Sequence, residues 1–209
     1  MSDIALSTRA VCEIDDVARL VAGYRPTDET QDALVFLITA ESRDAHRVSG
    51  REFVALSGNT TRVFDITPGV VRSREIRVGD CATVTTVKII DVDQTTELET
   101  VASTDRVLLP RLRDTWEPIT SILFPPSTAT PATLAYGGLV QVTGTWGFPA
   151  VPDDVRAAVA KMVLVRYLAD ITNGGTSLAE ALNEQGFNPG AAYASARDTI
   201  RGYSRPPFA

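Results

Sequence analysis

The chain contains a single histidine, His46, and this limits the chemistry that its side chains can support. A metal site built on imidazole needs several strong ligands. A Ser-His-Asp triad would have to use His46, but no G-x-S-x-G motif supplies the serine. We interpret His46 as a solvated residue near the end of a helix. The sequence therefore predicts no catalytic residue, no metal ligand and no cofactor, and the chain is not expected to be an enzyme.

The cysteines and the paired aspartates also have structural explanations. Cys12 and Cys81 are far apart and form no C-x-x-C pair, so we interpret both as small buried hydrophobic residues. Residues 91–95 (DVDQT) lack the glycine and the closing glutamate of a calcium loop, and they predict a polar hairpin turn. Asp153 and Asp154 fit the first turn of a helix, where the helix dipole favours negative charge.

A local basic cluster is formed by Arg72, Arg74 and Arg77 beside Glu75. One interpretation is a solvated strand edge. The other is contact with an acidic partner surface, because the guanidinium fork matches the geometry of carboxylates. The sequence leaves both interpretations open.

The composition is that of a globular protein with an acidic balance. The 209 residues are 44% hydrophobic and carry 26 acidic against 20 basic side chains, which gives a net charge of −6. All the excess negative charge lies in the first half. Affinity for a phosphate backbone comes mainly from cationic contacts, so tight nucleic-acid binding is not expected. We expect neither a secretory signal nor a membrane-spanning helix, since no apolar run is long enough.

Hydrophobic periodicity divides the chain into helical ends and a β-rich middle. Helical spacing predicts helices over residues 11–22, 27–49, 152–171 and 191–202. Short segments rich in β-branched residues, separated by turn residues, predict antiparallel strands. These predicted strands cover residues 60–66, 81–92, 97–101, 106–109, 119–124 and 139–146.

The elements together predict an α+β fold with a helical bundle core. In this prediction the N-terminal helices and the long C-terminal helix form the core, and the antiparallel β-region is inserted into it. The expected parts are the N-terminal helices, a β-rich insertion with the strand that leads into the last helices, a long helix with a loop, and a C-terminal tail. They cover residues 1–53, 54–146, 147–190 and 191–209.

Two segments carry a sequence resemblance. The first runs from LITAESR at residues 37–43 through SGREF at 49–53 to TRVFD at 61–65, and the second is VQVTGTWGFPAVPDDVRAA at 140–158. Their order resembles the head-to-tail connector (adaptor) proteins of long-tailed bacteriophages. The residues that match the motif are Arg51, Phe53, Trp146, Gly147, Pro149 and Pro152. Taken by themselves, the residues of the second segment predict a well-packed corner between a strand and a helix.

The resemblance implies a structural role in the virion. It implies a homo-oligomeric ring, dodecameric in such families, that docks under the capsid portal, extends the DNA channel and receives the next neck or tail protein. By the resemblance, the candidate portal-docking residues lie in the tail, and the β-insert at about 54–124 is a candidate surface for neighbouring proteins. The protein would assemble in the host cytoplasm and reside in the virion neck. The docking residues are Tyr203, Arg205, Pro207 and Phe208.

The acidic balance fits a conduit through which DNA passes without sequence-specific binding, because negative walls repel phosphate. We expect the second helix to place acidic side chains on the channel lumen. One alternative is another neck or tail-completion ring protein, such as a tail terminator or stopper. A distant alternative is a small-ligand-binding or enzymatic domain with an unrecognised acidic site. The candidate luminal residues are Asp28, Glu29, Asp32, Glu41 and Asp44.

Overall fold

The computed structural model divides the chain into two compact units. Met1–Val54 and Val151–Ala209 form one, which we call the helical unit, and Ala55–Ala150 form the other, which we call the sheet unit. The structure describes residues 6–21, 27–112, 114–125, 137–171 and 187–204, and for residues 28, 29 and 171 it describes the backbone alone.

The helical unit is built around one long helix that packs against three others. In chain order the helices are α1 (Ile14–Ala18), α2 (Asp28–Ser49), α3 (Pro68–Ser73), α4 (Asp153–Ile171) and α5 (Pro189–Gly202). Of these, α3 belongs to the sheet unit. Helix α4 contacts α1, α2 and α5, so residues from both ends of the chain enclose it.

Local sequence explains where these helices begin and end. Thr27, in extended conformation, is the N-cap of α2, and Gly50 ends that helix in the left-handed region at φ 65°. Such a conformation favours glycine, which has no Cβ. The side chain of Asn188 accepts a hydrogen bond from the Ala191 amide and caps α5. The predicted helix 27–49 is therefore confirmed, whereas the first helix is shorter than predicted.

The sheet unit consists of six strands. They are β1 (Thr60–Asp65), β2 (Glu75–Ile90), β3 (Glu97–Thr100), β4 (Val107–Leu109), β5 (Ile119–Leu123) and β6 (Leu139–Trp146). The strand order is β1-β6-β2-β5-β4, with β3 also paired to β2, and all pairs are antiparallel. β2 is the strand around which the sheet is organised, since it pairs with β3, β5 and β6.

The sheet unit has an apolar core of its own. Large side chains of β2, β5 and β6 are buried together with residues of the connecting segments, and Trp146 is fully enclosed. At Gly144 the backbones approach closely: a Cβ there would lie 2.0 Å from the Thr83 carbonyl oxygen. The pairing of β2 with β6 shifts register between Val84 and Thr86, next to this contact.

The expectation of a helical bundle core with a β-insertion is wrong. The chain is mixed α and β, but its largest element is the six-stranded antiparallel sheet, which buries its own core. Sequence reasoning took the apolar helical faces as the centre of the fold. It treated the strands as an appendage because each is short, although together they bury Trp146, Phe124 and many β-branched side chains.

Candidate functional site

The motif residue Trp146 anchors the end of β6. Its indole Nε1 donates a hydrogen bond to the Thr60 carbonyl at 2.9 Å. The Arg62 guanidinium carbon lies 4.3 Å from the centroid of the indole ring, and Phe64 packs at 6.0 Å in a tilted arrangement. A buried indole stabilises the core when its N–H is hydrogen-bonded and its ring face contacts a cation. Trp146 therefore forms part of the core, as the sequence indicated for this corner.

The residues that follow Trp146 turn the chain out of the strand. Gly147 has φ 118°, and its amide donates to the Asp80 carbonyl at 3.0 Å. Phe148 is buried and stacks on Trp116 with a centroid distance of 6.5 Å. Pro149 is exposed. The positive φ explains why glycine occupies position 147, and the buried position that follows explains the large aromatic residue Phe148.

At the other end of the motif, Pro152 is buried, and its carbonyl accepts the Arg156 amide at 2.9 Å. This bond belongs to the first turn of α4, where Asp153 and Asp154 also lie. The start of α4 thus fits the sequence prediction of an acidic first turn after proline.

His46 differs from its sequence interpretation as a solvated residue. It is half-buried, and its ring nitrogens face three backbone groups. Nδ1 lies 3.3 Å from the Phe53 amide and 3.0 Å from the Arg51 carbonyl, while Nε2 lies 3.3 Å from the Arg9 carbonyl. Protonation at Nε2 lets the ring donate to the Arg9 carbonyl and accept from the Phe53 amide, whereas protonation at Nδ1 lets it donate to the Arg51 carbonyl. His46 thus fixes two loops to the end of α2, and the helical periodicity gave no signal of these distant partners.

Phe53, the last residue of the SGREF segment, is fully buried in the helical unit. Tyr203 packs against it edge-on at 5.5 Å between centroids, and the His46 ring lies at 5.9 Å. An aromatic cluster therefore joins the end of α2 to the end of α5. Arg51, the other motif residue, stands beside it at the turn after α2.

The predicted acidic luminal residues do not share one exposed surface. Asp32 is exposed on α2, but Glu41 is fully buried and Asp44 is half-buried. The side chains of Asp28 and Glu29 lie outside the described residues. The prediction that Glu41 presents its carboxylate on a surface is wrong, because this side chain turns inward and pairs with α4. Five acids along one helix cannot all face the same way at 3.6 residues per turn.

Glu41 is the centre of a polar network among three helices. Its Oε1 lies 2.6 Å from Arg166 Nε on α4, although the two groups are not aligned as a hydrogen bond. The Tyr193 hydroxyl on α5 donates to Glu41 Oε2 at 3.5 Å. Burial raises the pKa of Glu41, and the charge of Arg166 offsets part of this shift. The network joins α2, α4 and α5 at one point.

Asp44 continues this network one turn later along α2. It forms a close ion pair with Arg47 on the same helix, and its other carboxylate oxygen lies 3.6 Å from Arg197 on α5. Exposed ion pairs of this kind each contribute little stability. Their effect here is to fix α5 beside α2 through directional contacts.

The candidate portal-docking residue Tyr203 is held within the helical unit. Its hydroxyl donates to the Asp154 carboxylate, with oxygen distances of 2.9 and 3.0 Å. Burial and the hydrogen bond to Asp154 raise the pKa of Tyr203 to about 12. The next residue, Ser204, donates through its hydroxyl to the Val48 carbonyl at 3.4 Å. Tyr203 thus belongs to the fold, and the other candidates, Arg205, Pro207 and Phe208, lie outside the described residues.

Both cysteines are buried, as predicted. Burial, together with the charge of Asp16, raises the pKa of Cys12 to about 12, so its thiol stays protonated at neutral pH. The Cys81 thiol donates to the Thr83 carbonyl at 3.0 Å. Cys12 therefore does not have the environment of a reactive thiolate.

The basic cluster and the predicted hairpin lie in the sheet unit. Arg72 and Arg77 are exposed, and Arg74 ends α3 in the left-handed region at φ 58°. The Asp93 carboxylate accepts hydrogen bonds from the Thr95 and Thr96 amides and from the Thr96 hydroxyl. These bonds lower its pKa and explain residues 91–95 as a turn, as predicted.

Two kinds of feature are absent from the described residues. Within these residues, no three side chains of the histidine, cysteine, aspartate or glutamate types are grouped as a metal site. None of the described helices is long and apolar enough to cross a membrane.

Comparison of the sequence with protein-family models and with curated proteins gives no match. Comparison of the fold with solved structures gives a similarity to a chain from the neck of an empty GTA (gene transfer agent) particle, computed with C6 symmetry. The similarity covers 98% of this chain and 94% of that chain, with a TM-score of 0.50 and 20% sequence identity. At this identity the likeness concerns the fold.

Proposed function

We propose that this protein is a structural subunit of the neck of a tailed bacteriophage or phage-like particle. It forms a ring between the capsid portal and the tail-side proteins and extends the DNA channel. The observation that carries this proposal is the fold similarity to a neck chain, which extends over nearly the full length of both chains. Fold by itself does not define function, so the experiment below tests the role directly.

The sequence motifs support the same proposal from separate observations. Residues matching the connector motif occupy the turn after α2 and the passage from β6 into α4. In this structure Phe53 and Trp146 are buried and Gly147 closes a tight turn, so the motif describes how the chain folds. The resemblance and the fold comparison thus point to one class of protein by different routes.

The proposed assembly is a homo-oligomeric ring. The neck that contains the similar chain was computed with sixfold symmetry, and rings of six or twelve copies both satisfy that symmetry. We propose twelve, following the connector resemblance. Subunits in such a ring contact through two different surfaces, which is the heterologous arrangement that closes on itself.

The C-terminal segment is the proposed contact with the portal. Because Tyr203 and Ser204 are bound to the helical unit, the docking segment begins after them, with Arg205, Pro207 and Phe208 as its candidate residues. Of the proposed luminal residues, Asp32 is the one whose exposed side chain is described, and we retain it as a candidate for repelling DNA. The protein would assemble in the host cytoplasm and remain in the virion neck.

The proposal is tested by mixing the full chain with the portal protein of the same particle and measuring the mass of the complex by native mass spectrometry. The expected result is a complex with a fixed whole number of copies, visible as a ring in electron micrographs. Binding to a tail component in place of the portal would assign the protein as a tail terminator or stopper and would contradict a portal-docking ring.

The docking segment is tested with a shortened chain that lacks residues 205–209. We expect the shortened protein to fold and to lose affinity for the portal by about tenfold or more, since its contact residues are removed. Tyr203→Phe is the matched control: it keeps the segment and removes one internal hydrogen bond, so portal binding should stay unchanged. Equal portal binding by the shortened and full-length chains would contradict the assignment.

A further inference from the structure

The outer edge of β1 is not paired with any strand of the described residues. β1 is the first strand in the order β1-β6-β2-β5-β4, and it pairs with β6 on its inner side. Its six residues include neither proline nor lysine, which commonly block pairing at a sheet edge. Thr61, Val63 and Asp65 are exposed, with Val63 at 40%. An open edge of this kind is a template to which a further strand can add.

The other edges of the described sheet are shorter or interrupted. β4 has three residues and is followed at once by Pro110, which has no amide proton to donate. β3 has four residues, and its pairing with β2 shifts register between Ile89 and Ile90. Irregularities of this kind turn an edge away from a further strand. β1 therefore presents the longest regular edge of the described sheet.

The hydrogen bonds next to β1 define which of its backbone groups point outward. The Ile66 amide donates to the Gly138 carbonyl at 3.0 Å, in the same register as the pairs of β1 with β6. Along an antiparallel strand, bonding to a given neighbour alternates from residue to residue. Even-numbered residues of β1 therefore bond toward β6, and odd-numbered residues point their amides and carbonyls away from the sheet. These outward residues are Thr61, Val63 and Asp65.

We propose that the open edge of β1 pairs with β1 of a second copy of this chain in an antiparallel, two-fold contact. Because the outward groups belong to odd-numbered residues, a hydrogen-bonded register must pair odd residues with odd residues. Two such registers overlap over most of the strand. One has its axis at Arg62 and places the two Arg62 side chains directly opposite each other, which is destabilising. The other has its axis at Val63.

The register centred on Val63 brings complementary side chains together. The two Val63 side chains lie opposite each other, so that two exposed apolar groups leave water. Thr61 lies opposite Asp65 of the second copy, and Arg62 lies opposite its Phe64, so like charges do not face each other. The strand is therefore complementary to itself, as a two-fold contact requires.

This pairing belongs to the free chain. Neighbours in the proposed ring contact through two different surfaces, whereas a contact between two β1 strands uses one surface twice. The inference therefore does not rest on the proposed function. A contact of one strand pair is smaller than the roughly 1,200–2,000 Å² of stable interfaces, so we expect a weak dimer that opens when a ring forms. In the free chain the dimer covers an edge that otherwise invites irregular pairing.

The test is disulfide cross-linking of the full chain carrying Val63→Cys under mild oxidation. Opposed residues of a hydrogen-bonded antiparallel pair have Cα atoms about 5.5 Å apart, a distance that a disulfide spans. We expect a covalent dimer that forms at least about tenfold faster than with Val92→Cys, because the contact raises the effective concentration of the thiols. Val92 is the matched control, a valine of the same unit that is 67% exposed. Cys12 and Cys81 are buried and do not compete.

The register is tested by mixing two further variants. Thr61→Cys and Asp65→Cys lie opposite each other in the register centred on Val63, so their mixture should form a mixed disulfide dimer. Thr61→Cys alone should not, because its two copies would lie about 14 Å apart along the strands. A mixed dimer of Thr61→Cys with Val63→Cys, in place of Asp65→Cys, would contradict this register.

Sedimentation equilibrium measures the pairing without a covalent bond. The dimer fraction of the wild-type chain should rise with concentration. Val63→Lys places two ammonium groups together at the axis and should weaken dimerisation by about fivefold or more, whereas Val92→Lys should leave it unchanged. Val63→Thr keeps the β-branched shape and should have an intermediate effect. Circular dichroism of each variant checks that the fold is retained.

Three results would overturn the proposal. The first is a wild-type chain that stays monomeric up to its solubility limit. The second is Val63→Cys that cross-links no faster than Val92→Cys, and the third is equal weakening of dimerisation by the two lysine substitutions. None of these measurements involves the portal, so such a result would leave the proposed function standing.

Discussion

The two units of this protein reach a single structure in different ways. The sheet unit is one continuous segment, Ala55–Ala150, and its buried core is predominantly apolar. The helical unit is assembled from the two ends of the chain. Its helices are joined by side-chain contacts between residues far apart in sequence, among them Glu41 with Arg166 and Tyr203 with Asp154.

The difference shows that apolar and polar contacts make different contributions to a fold. Apolar burial supplies most of the free energy of folding but is not directional. Hydrogen bonds and ion pairs contribute less on balance, yet they are satisfied in one arrangement only. In the sheet unit, the backbone hydrogen bonds between strands supply the directional contacts. Helices do not hydrogen-bond to one another through their backbones, so in the helical unit side chains such as Glu41 and Tyr203 supply these contacts.

The largest effect is expected in the core of the sheet unit. Trp146→Ala removes a fully buried indole and its hydrogen bond to Thr60, so the free energy of unfolding should fall by about 3–5 kcal/mol. Urea denaturation followed by circular dichroism measures the loss. Trp116→Ala is the control, because Trp116 is only half-buried and should cost less. A greater loss for Trp116→Ala would show that the core is centred elsewhere.

A smaller but still clear effect is expected at the closest approach of two strands. Gly144→Ala would place a Cβ 2.0 Å from the Thr83 carbonyl oxygen, and backbone cannot move aside without disturbing the pairing of β2 with β6. We expect a destabilisation of about 1–3 kcal/mol, measured by urea denaturation.

Gly69→Ala provides the matched control for this substitution. Gly69 lies in α3, and an added Cβ would meet the Thr67 hydroxyl at an ordinary 3.6 Å. Alanine in a helix restricts the unfolded chain and should leave stability equal or slightly higher. Equal destabilisation by both substitutions would show that lost glycine flexibility, rather than the strand contact, governs the result.

The smallest effect is expected in the helical unit. It appears as a change in how the free energy of unfolding depends on pH. Folding raises the pKa of Glu41, chiefly through burial, so the folded state binds this proton more tightly. The contribution of Glu41 to stability is therefore fully present below its unfolded pKa of about 4.3 and is lost as pH rises through the folded pKa. Relative to wild type, Glu41→Gln should become more stable as pH rises above about 4, as urea denaturation can measure.

Glu97→Gln, in the sheet unit, should show the opposite slope. Hydrogen bonds from Lys88 and Thr100 lower the pKa of Glu97, so that its contribution is present above the unfolded pKa and lost as pH falls. The free energy of unfolding of the wild type should therefore increase relative to that of Glu97→Gln as pH rises. Two results would contradict the burial argument and favour the ion pair with Arg166. One is an equal dependence of unfolding free energy on pH in wild type and Glu41→Gln. The other is a wild type that becomes more stable than Glu41→Gln as pH rises.

Much of the secondary structure follows from the sequence, whereas the centre of the fold does not. Periodicity located α2 and the strand β6 because both are long and regular. It placed the start of β2 at Cys81 instead of Glu75 because Gly79 and Asp80, which lie within the strand, were interpreted as a turn. It predicted no helix at residues 68–73, where α3 lies with Thr67 as its N-cap. Short elements next to charged clusters carry too weak a pattern to be recognised.

The candidate sites were harder to predict because they depend on contacts between distant segments. The sequence placed Glu41 with other acids of α2, but its partner Arg166 lies on α4. His46 was assigned to solvent, and its partners at Arg9 and Phe53 lie in two loops. Tyr203 was assigned to a tail, although Asp154 holds it. In each case the deciding partner is remote in sequence, where no local pattern can indicate it.

The split of the helical unit has a consequence for synthesis of the chain. Ribosomes add roughly 5–20 residues per second, so the segment Ala55–Ala150 delays the appearance of α4 by roughly 5–20 s after α2. During this interval the sheet unit is complete in sequence and able to fold. Helix α2, whose buried residues include Leu34 and Ile38, meets α4 and α5 only after this interval. The nascent chain therefore passes through a stage in which the sheet unit can fold while α2 still lacks two of the helices that it packs against.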